Sequence, residues 1–224
     1  MQETIRILMT DDHPMIIEGY QNTLIATKKE HQDLKIDIAN SCDESIKFMN
    51  KAISLENPYD MLFMDISLPP SSDGKYTSGE DLAIYARKIM PKAKIVILTM
   101  FNESYRIHNI VKTINPEGFL IKSDLTSREL SSAFQAVINN PPFYSGTVNS
   151  IIRKNISNDI IVDEINRKIL HLLSQGVKTK SLTDHINLSM SAIEKRKKHL
   201  KELFMVEDGS DETLLNEARI KGFV

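Results

Sequence analysis

Residues 61–65 read MLFMD, four apolar side chains followed at once by a carboxylate. So short an apolar run suits a strand covered on both faces, and the aspartate then stands at its carboxyl end. The pattern repeats outward in both directions. IRILMTDD at 5–12 ends in Asp11 and Asp12, KIVILT at 94–99 ends in Thr99, and GFLIK at 118–122 ends in Lys122. Strands are expected at Ile5–Met9, Lys35–Ala39, Met61–Met64, Lys94–Leu98 and Gly118–Ile121, separated by stretches that can each hold a helix. Helical spacing shows in Ile46, Met49 and Ile53, and again in Leu82, Tyr85, Ala86 and Ile89, with Pro91 closing the second run. The expected fold is a doubly wound α/β domain around a five-stranded parallel sheet.

The 224 residues, 41% of them apolar and 26% charged, suffice for two small cores. Eight Gly and eight Pro exclude collagen-like and low-complexity scaffolds. One cysteine, Cys42, permits no intramolecular disulfide and no multi-cysteine zinc site. The start MQETIRILMTDDHP lacks the basic and apolar regions of a secretory signal, so a cytoplasmic location is expected. No apolar run nears the ~20 residues of a membrane-spanning helix, and no membrane partner is expected.

A helix at Leu130–Ile138 runs into Asn139-Asn140-Pro141-Pro142, which ends the first domain near residue 140. Residues 141–158 are expected to form a linker with a short helix. From 159 to 224 the pattern is helical only, with helices at Asp163–Ser174, Thr179–Ile186, Ser191–Phe204 and Asp211–Ile220. The formal net charge of −2 hides a basic patch, since residues 176–205 carry seven Lys/Arg against three Asp/Glu.

In an open parallel sheet the ligand crevice lies at the carboxyl ends of the strands, where Asp11, Asp12, Asp65, Thr99 and Lys122 all fall. Three carboxylates together repel one another unless a hard cation sits among them, and their oxygens suit Mg2+ with retained waters. A hydroxyl and an ammonium opposite suit a tetrahedral anion. The expected chemistry is metal-assisted phosphoryl transfer onto a carboxylate: Asp65 as nucleophile, Asp11 and Asp12 on the metal, Thr99 and Lys122 on the phosphoryl oxygens.

TDDHP at 10–14, MDISLP at 64–69, ILTM at 97–100 and GFLIKSD at 118–124, in order and each at a strand end, resemble the receiver domain of two-component response regulators. The resemblance implies a flavodoxin-like strand order and phosphorylation of Asp65 by a histidine kinase or phosphotransfer protein. It further implies a Mg2+ site of Asp11, Asp12, Asp65 and the Ser67 carbonyl, and a switch pair of Thr99 and Phe119. His13 falls beside the site. Two features depart from the pattern. Nine residues, PSSDGKYTS, separate Pro69 from Gly79, with Ser78 and Asp81 as an expected N-cap pair for the next helix. Met100, where the family often has a small residue, is expected to slow attack of water on an acyl phosphate.

In the helical part, HLLSQG at 171–176 and LSMSAIEKRKKHLKELF at 188–204 resemble the LuxR/NarL-type helix-turn-helix. Ser189 or Ser191 is expected to cap the second helix, with Glu194 reaching back to Ser191. Ile193, Leu200, Leu203 and Phe204 form its buried stripe, and Lys195, Arg196, Lys198, His199 and Lys201 form a DNA-binding face. The whole reads as a phosphorylation-switched transcriptional regulator with promoter DNA as partner and a homodimer in the active form. A phospho-switched module whose helical tail binds a protein is the alternative. An enzyme is not expected: a haloacid-dehalogenase-like phosphatase needs an Asp-x-Asp motif and a flavodoxin a Ser/Thr-rich loop after the first strand, and TDDHP is neither.

Overall fold

The computed structural model describes residues 3–156 and 162–224. Five β-strands alternate with helices: β1 (Glu3–Thr10), α1 (Pro14–Thr27), β2 (Gln32–Ala39), α2 (Cys42–Ser54), β3 (Met61–Asp65), α3 (Gly79–Ile89), β4 (Lys94–Thr99), α4 (Ser104–Ile114), β5 (Gly118–Ile121) and α5 (Ser127–Asn139). A sixth strand, β6 (Phe143–Tyr144), and α6 (Gly146–Ile156) follow. The later helices are α7 (Glu164–Ser174), α8 (Met190–Leu203) and α9 (Asp211–Ile220), with a 3₁₀ turn at Thr179–Asp184. Among these residues no helix is long and apolar enough to cross a membrane.

All strand pairs are parallel, in the order β2-β1-β3-β4-β5-β6. The order reverses between β1 and β3, and such a switch point opens a crevice at the carboxyl ends of those strands. Ile5, Ile7, Met9, Met61, Phe63, Val96 and Leu98 pack with Ile17, Leu24, Leu130 and Phe134 of α1 and α5. The alternate positions Leu8, Leu62, Met64, Ile95 and Ile97 are buried as well, because helices cover both faces of the sheet.

The sheet has one strand more than expected. Phe143 N donates to Glu117 O and Ser145 N to Phe119 O, so the segment after the two prolines, expected as linker, first extends the sheet. Helix boundaries follow local chemistry. Ser41 caps α2 by accepting from Glu44 N, and Thr126 and Glu129 form a reciprocal capping box on α5. Ser78 stands at the N-cap of α3 but makes no side-chain cap bond. Asp81 instead accepts from the N–H and Oγ1 of Thr77.

The nine-residue insertion has its own hydrogen bonds. Ser71 N donates to Tyr76 O, Ser71 Oγ to Asp73 Oδ1, and Ser72 to Asp43 at the start of α2 through both N and Oγ. Tyr76 packs on Tyr85 of α3 with ring centroids 5.2 Å apart. Gly74 takes the turn at φ +67°.

The chain divides into two compact units, one of residues up to 102 with 110–148, the other of residues 103–109 with 149 onward. The expected boundary at 158/159 lies outside the described residues. In the helical part Ile169, Leu170, Leu182, Ile193, Leu200, Phe204, Leu214 and Phe223 form a second core. Phe204 and Phe223 meet edge to face at 5.2 Å. The expected helix at Thr179–Ile186 is instead a six-residue 3₁₀ turn, Thr179–Asp184, closed by His185 N and Ile186 N, which both donate to Leu182 O.

Gly79 joins the fold to the crevice. An added Cβ would stand 1.8 Å from the carbonyl oxygen of Asp65, while Gly79 N donates to Ile66 O. Gly79→Ala therefore has to push α3 away from the end of β3. A loss of about 1–3 kcal/mol is expected, measured by urea unfolding of the full chain; an unchanged midpoint would show that the backbone yields freely there.

Candidate phosphoryl-acceptor site and basic helix

Four strand ends deliver the polar groups. The register sets Thr10 opposite Met64 and Asp65 opposite Leu98, so Asp11 and Asp65 leave β1 and β3 side by side and Thr99 follows on β4. Asp11 and Asp65 are each 1% exposed, and the Lys122 side chain, 6% exposed, reaches both: Nζ lies 2.7 Å from Asp11 Oδ2 and 2.8 Å from Asp65 Oδ2. Burial opposes the Lys122 charge, but the two carboxylate bonds outweigh it and hold its pKa above the ordinary lysine value.

The other oxygens are engaged from the loops. Asp65 Oδ1 accepts from Ser67 N at 3.1 Å, and Asp11 Oδ1 from His13 N at 3.0 Å. One carboxylate or imidazole atom from each of Asp11, Asp12, His13 and Asp65 can be chosen within 4.8 Å of the others. Asp12 Oδ1 is buried and takes part in no hydrogen bond, although His13 Nδ1 lies 2.8 Å away. A buried carboxylate oxygen outside the hydrogen bonds of the site, among two more carboxylates, fits a hard divalent cation.

The expected site residues occupy distinct places. Thr99 is fully buried, and its Oγ1 accepts from Phe101 N. Phe119 is fully buried in β5 and meets the ring of Tyr144 edge-on at 6.5 Å. Ser67 is exposed. Met100, 63% exposed, lines a groove of about 430 Å³ with Met15, Tyr20, Lys122 and Leu130.

On α8, Ser189 is the N-cap and accepts from Ala192 N, while Ser191 is hydrogen-bonded to Ser189 through its hydroxyl. The expected return bond from Glu194 to Ser191 is replaced by that arrangement, since the cap position lies two residues earlier. Ile193, Leu200 and Phe204 are buried and Leu203 is half-buried. Lys195, Lys198 and His199 are exposed. Arg196 bonds Asp163 Oδ2 at 2.8 Å and Asn166 Oδ1 at 3.1 Å. Lys201 bonds Gly209 O and Asp211 Oδ1 at 2.6 and 2.7 Å. Lys197, not among the expected contacts, is buried between Thr179 Oγ1 and Asp211 Oδ2, both at 2.6 Å. The clue lay at the starts of the neighbouring helices, where Asp163 caps α7 and Asp211 opens α9.

Burial raises the Asp163 and Asp211 carboxyls. Hydrogen bonds from Asn166 N and Arg196, and from Lys197 and Lys201, more than reverse this and leave both below the ordinary aspartate value.

No family model matches the chain. It is 22% identical over 208 residues to the oxygen regulatory protein NreC of Staphylococcus haemolyticus, covering 88% of this chain and 89% of that one. It is 24% identical over 215 residues to the transcriptional regulatory protein RcsB of Escherichia coli K12, covering 95% and 93%. The fold is similar to RcsB of Salmonella enterica serovar Typhimurium bound to promoter DNA with the phosphomimetic BeF3−, at TM-score 0.61 and 22% identity over 98% of this chain and 99% of that one. It is also similar to the isolated REC domain of that protein, at TM-score 0.54 and 24% identity over 66% and 98%. The resemblance therefore runs through both parts of the chain.

Two outcomes follow from these charges. Lys122→Ala leaves two buried carboxylates facing each other, and a loss of about 3–5 kcal/mol is expected in urea unfolding at pH 7 without divalent ions. A wild-type midpoint would mean that the pair carries no stability. Because the folded values of Asp163 and Asp211 are depressed, their contribution is present above about pH 4 and disappears as the pH falls through those values. Melting by circular dichroism between pH 7 and 3 should show a shallower acid loss in Asp211→Asn, from a lower starting Tm.

Proposed function

We propose that the chain is a two-component response regulator: a histidine kinase or phosphotransfer protein phosphorylates Asp65, and the phosphorylated protein regulates transcription by binding promoter DNA. The observation that carries this reading is Lys122 bridging Asp11 and Asp65 at the switch point of the sheet, in a chain whose likeness to DNA-binding response regulators extends through its helical part.

Asp65 is the nucleophile, buried and held by Ser67 N–H on one oxygen and Lys122 on the other. Asp11, Asp12, Asp65 and the Ser67 carbonyl would hold Mg2+, which would supply charge neutralisation for the transferred phosphoryl group. Lys122 exchanges a carboxylate partner for a phosphoryl oxygen, and Thr99 donates its hydroxyl to another. The movement of Thr99 is answered by Phe119, and two states of the α4-β5-α5 face are biased by one modification. Turnover of a separate substrate is no part of this scheme.

Residues 1–140 act as receiver, 141–158 as connection and 159–224 as output. Within the output part Lys195, Lys198 and His199 are the groups of α8 that project outward and meet DNA first. Arg196 and Lys201 join them by leaving their acidic partners. A homodimer on an inverted repeat, in the cytoplasm, completes the reading.

The test is a fluorescence-anisotropy titration with DNA from upstream of the protein's own gene, with and without Mg2+ and BeF3−, in wild type and Asp65→Ala. Tighter binding with the mimic in wild type alone is expected. Lys198→Ala should weaken binding and reduce the slope of log affinity against log salt by about 1. A wild type that changes state with the mimic yet never binds DNA would move the output to a protein partner.

A further inference from the structure

The three residues Lys122–Asp124 form a 3₁₀ turn, closed by Leu125 N donating to Lys122 O, so the site lysine and Asp124 sit on one short rigid piece of backbone. The half-buried Asp124 carboxylate is an acceptor for three donors at the entry to α6. Ser145 Oγ donates to Oδ2 at 2.8 Å, Thr147 N to Oδ2 at 3.2 Å, and Thr147 Oγ1 to Oδ1 at 3.0 Å. Ser145 is buried and also ties back to β5: its N–H reaches Phe119 O, and its Oγ accepts from Ile121 N. Phe119 and Tyr144 are neighbours in the β5-β6 register as well as in ring contact.

From this geometry we propose that Asp124 is a positioning residue that couples the state of Lys122 to the start of α6, the helix through which the chain continues toward its C-terminal part. The inference rests on the phosphoryl-acceptor reading of Asp65 and adds to it a second route beside Thr99 and Phe119.

The physical step is short. Lys122 is shared between Asp11 and Asp65, and a phosphoryl group on Asp65 gives Nζ a new, more strongly charged partner. Lys122 follows it, the 3₁₀ turn moves with its first residue, and Asp124 draws away from Thr147. A helix N-terminus whose first donors lose a carboxylate acceptor is less well held. Because the three donors share one carboxylate, displacement of Asp124 weakens all three bonds together.

Hydrogen exchange of the Thr147 amide, followed by NMR on the full chain with and without Mg2+ and BeF3−, tests the coupling. In wild type the mimic should speed exchange about tenfold, equivalent to 1.4 kcal/mol of opening. Asp124→Ala should exchange fast in both states and lose the response. Thr147→Val should lessen the response, and Thr147→Ser, which keeps the hydroxyl, should restore it.

A purely structural latch would slow or speed exchange equally in both states, so a mimic response that survives in Asp124→Ala overturns the proposal. So does a wild-type Thr147 amide that ignores the mimic while amides beside Lys122 respond. If no amide anywhere responds, the phosphoryl-acceptor reading itself fails and the coupling falls with it.

Discussion

Three carboxylates come together where β1 and β3 end, two of them almost wholly removed from water, and a single ammonium group stands between those two. Like charges at that spacing in a poorly hydrated cleft repel strongly. Lys122 stands within hydrogen-bond distance of both and offsets that repulsion. It does so from β5, two strands away from β3 in the sheet, so one side chain ties the upper ends of β1, β3 and β5. The arrangement is satisfied without being saturated, since a buried oxygen of Asp12 takes part in no hydrogen bond.

The helical part handles charge by a different rule. Its long basic helix has a dense run of cations in sequence, yet Arg196, Lys197 and Lys201 are anchored by Asp163 and Asp211, which open neighbouring helices. These pairs orient α7 and α9 about α8, and Lys197 joins the 3₁₀ turn to the same network through Thr179. The outward positive charge of α8 is thus smaller than its composition, and concentrated on Lys195 and Lys198. Charge spent on architecture is unavailable for long-range attraction, which favours close-range recognition over steering.

Much of this was legible in the sequence. MLFMD, IRILMTDD, KIVILT and GFLIK place strands and their polar ends directly, because a fully covered strand is an apolar run and its crevice end must be polar. What stayed hidden depends on partners distant in sequence. The Lys122 bridge to Asp11 spans 111 residues, and no local pattern specifies it. At the start of α3, Ser78 holds the N-cap position without a side-chain cap bond while Asp81 reaches back to Thr77, a difference the residue types alone do not specify. β6 was missed because two residues carry no periodicity. The pairing of Lys197 and Lys201 with Asp211 crosses from α8 to α9, so no pattern within the basic helix specifies it.

β6 also guards a boundary. Strand β5 is four buried residues long, and without a neighbour on its outer side it would present a row of unpaired backbone groups to any passing chain. Only Phe143 and Tyr144 stand there, preceded by two prolines that cannot donate to a ladder. The opposite margin of the sheet, β2, is long but carries Asp33, Lys35 and Asp37, charges that discourage strand-to-strand stacking. Any event that peels β6 away therefore exposes the less protected margin of the sheet. Two residues thus close the side of the sheet that has fewer charges of its own to keep other strands away.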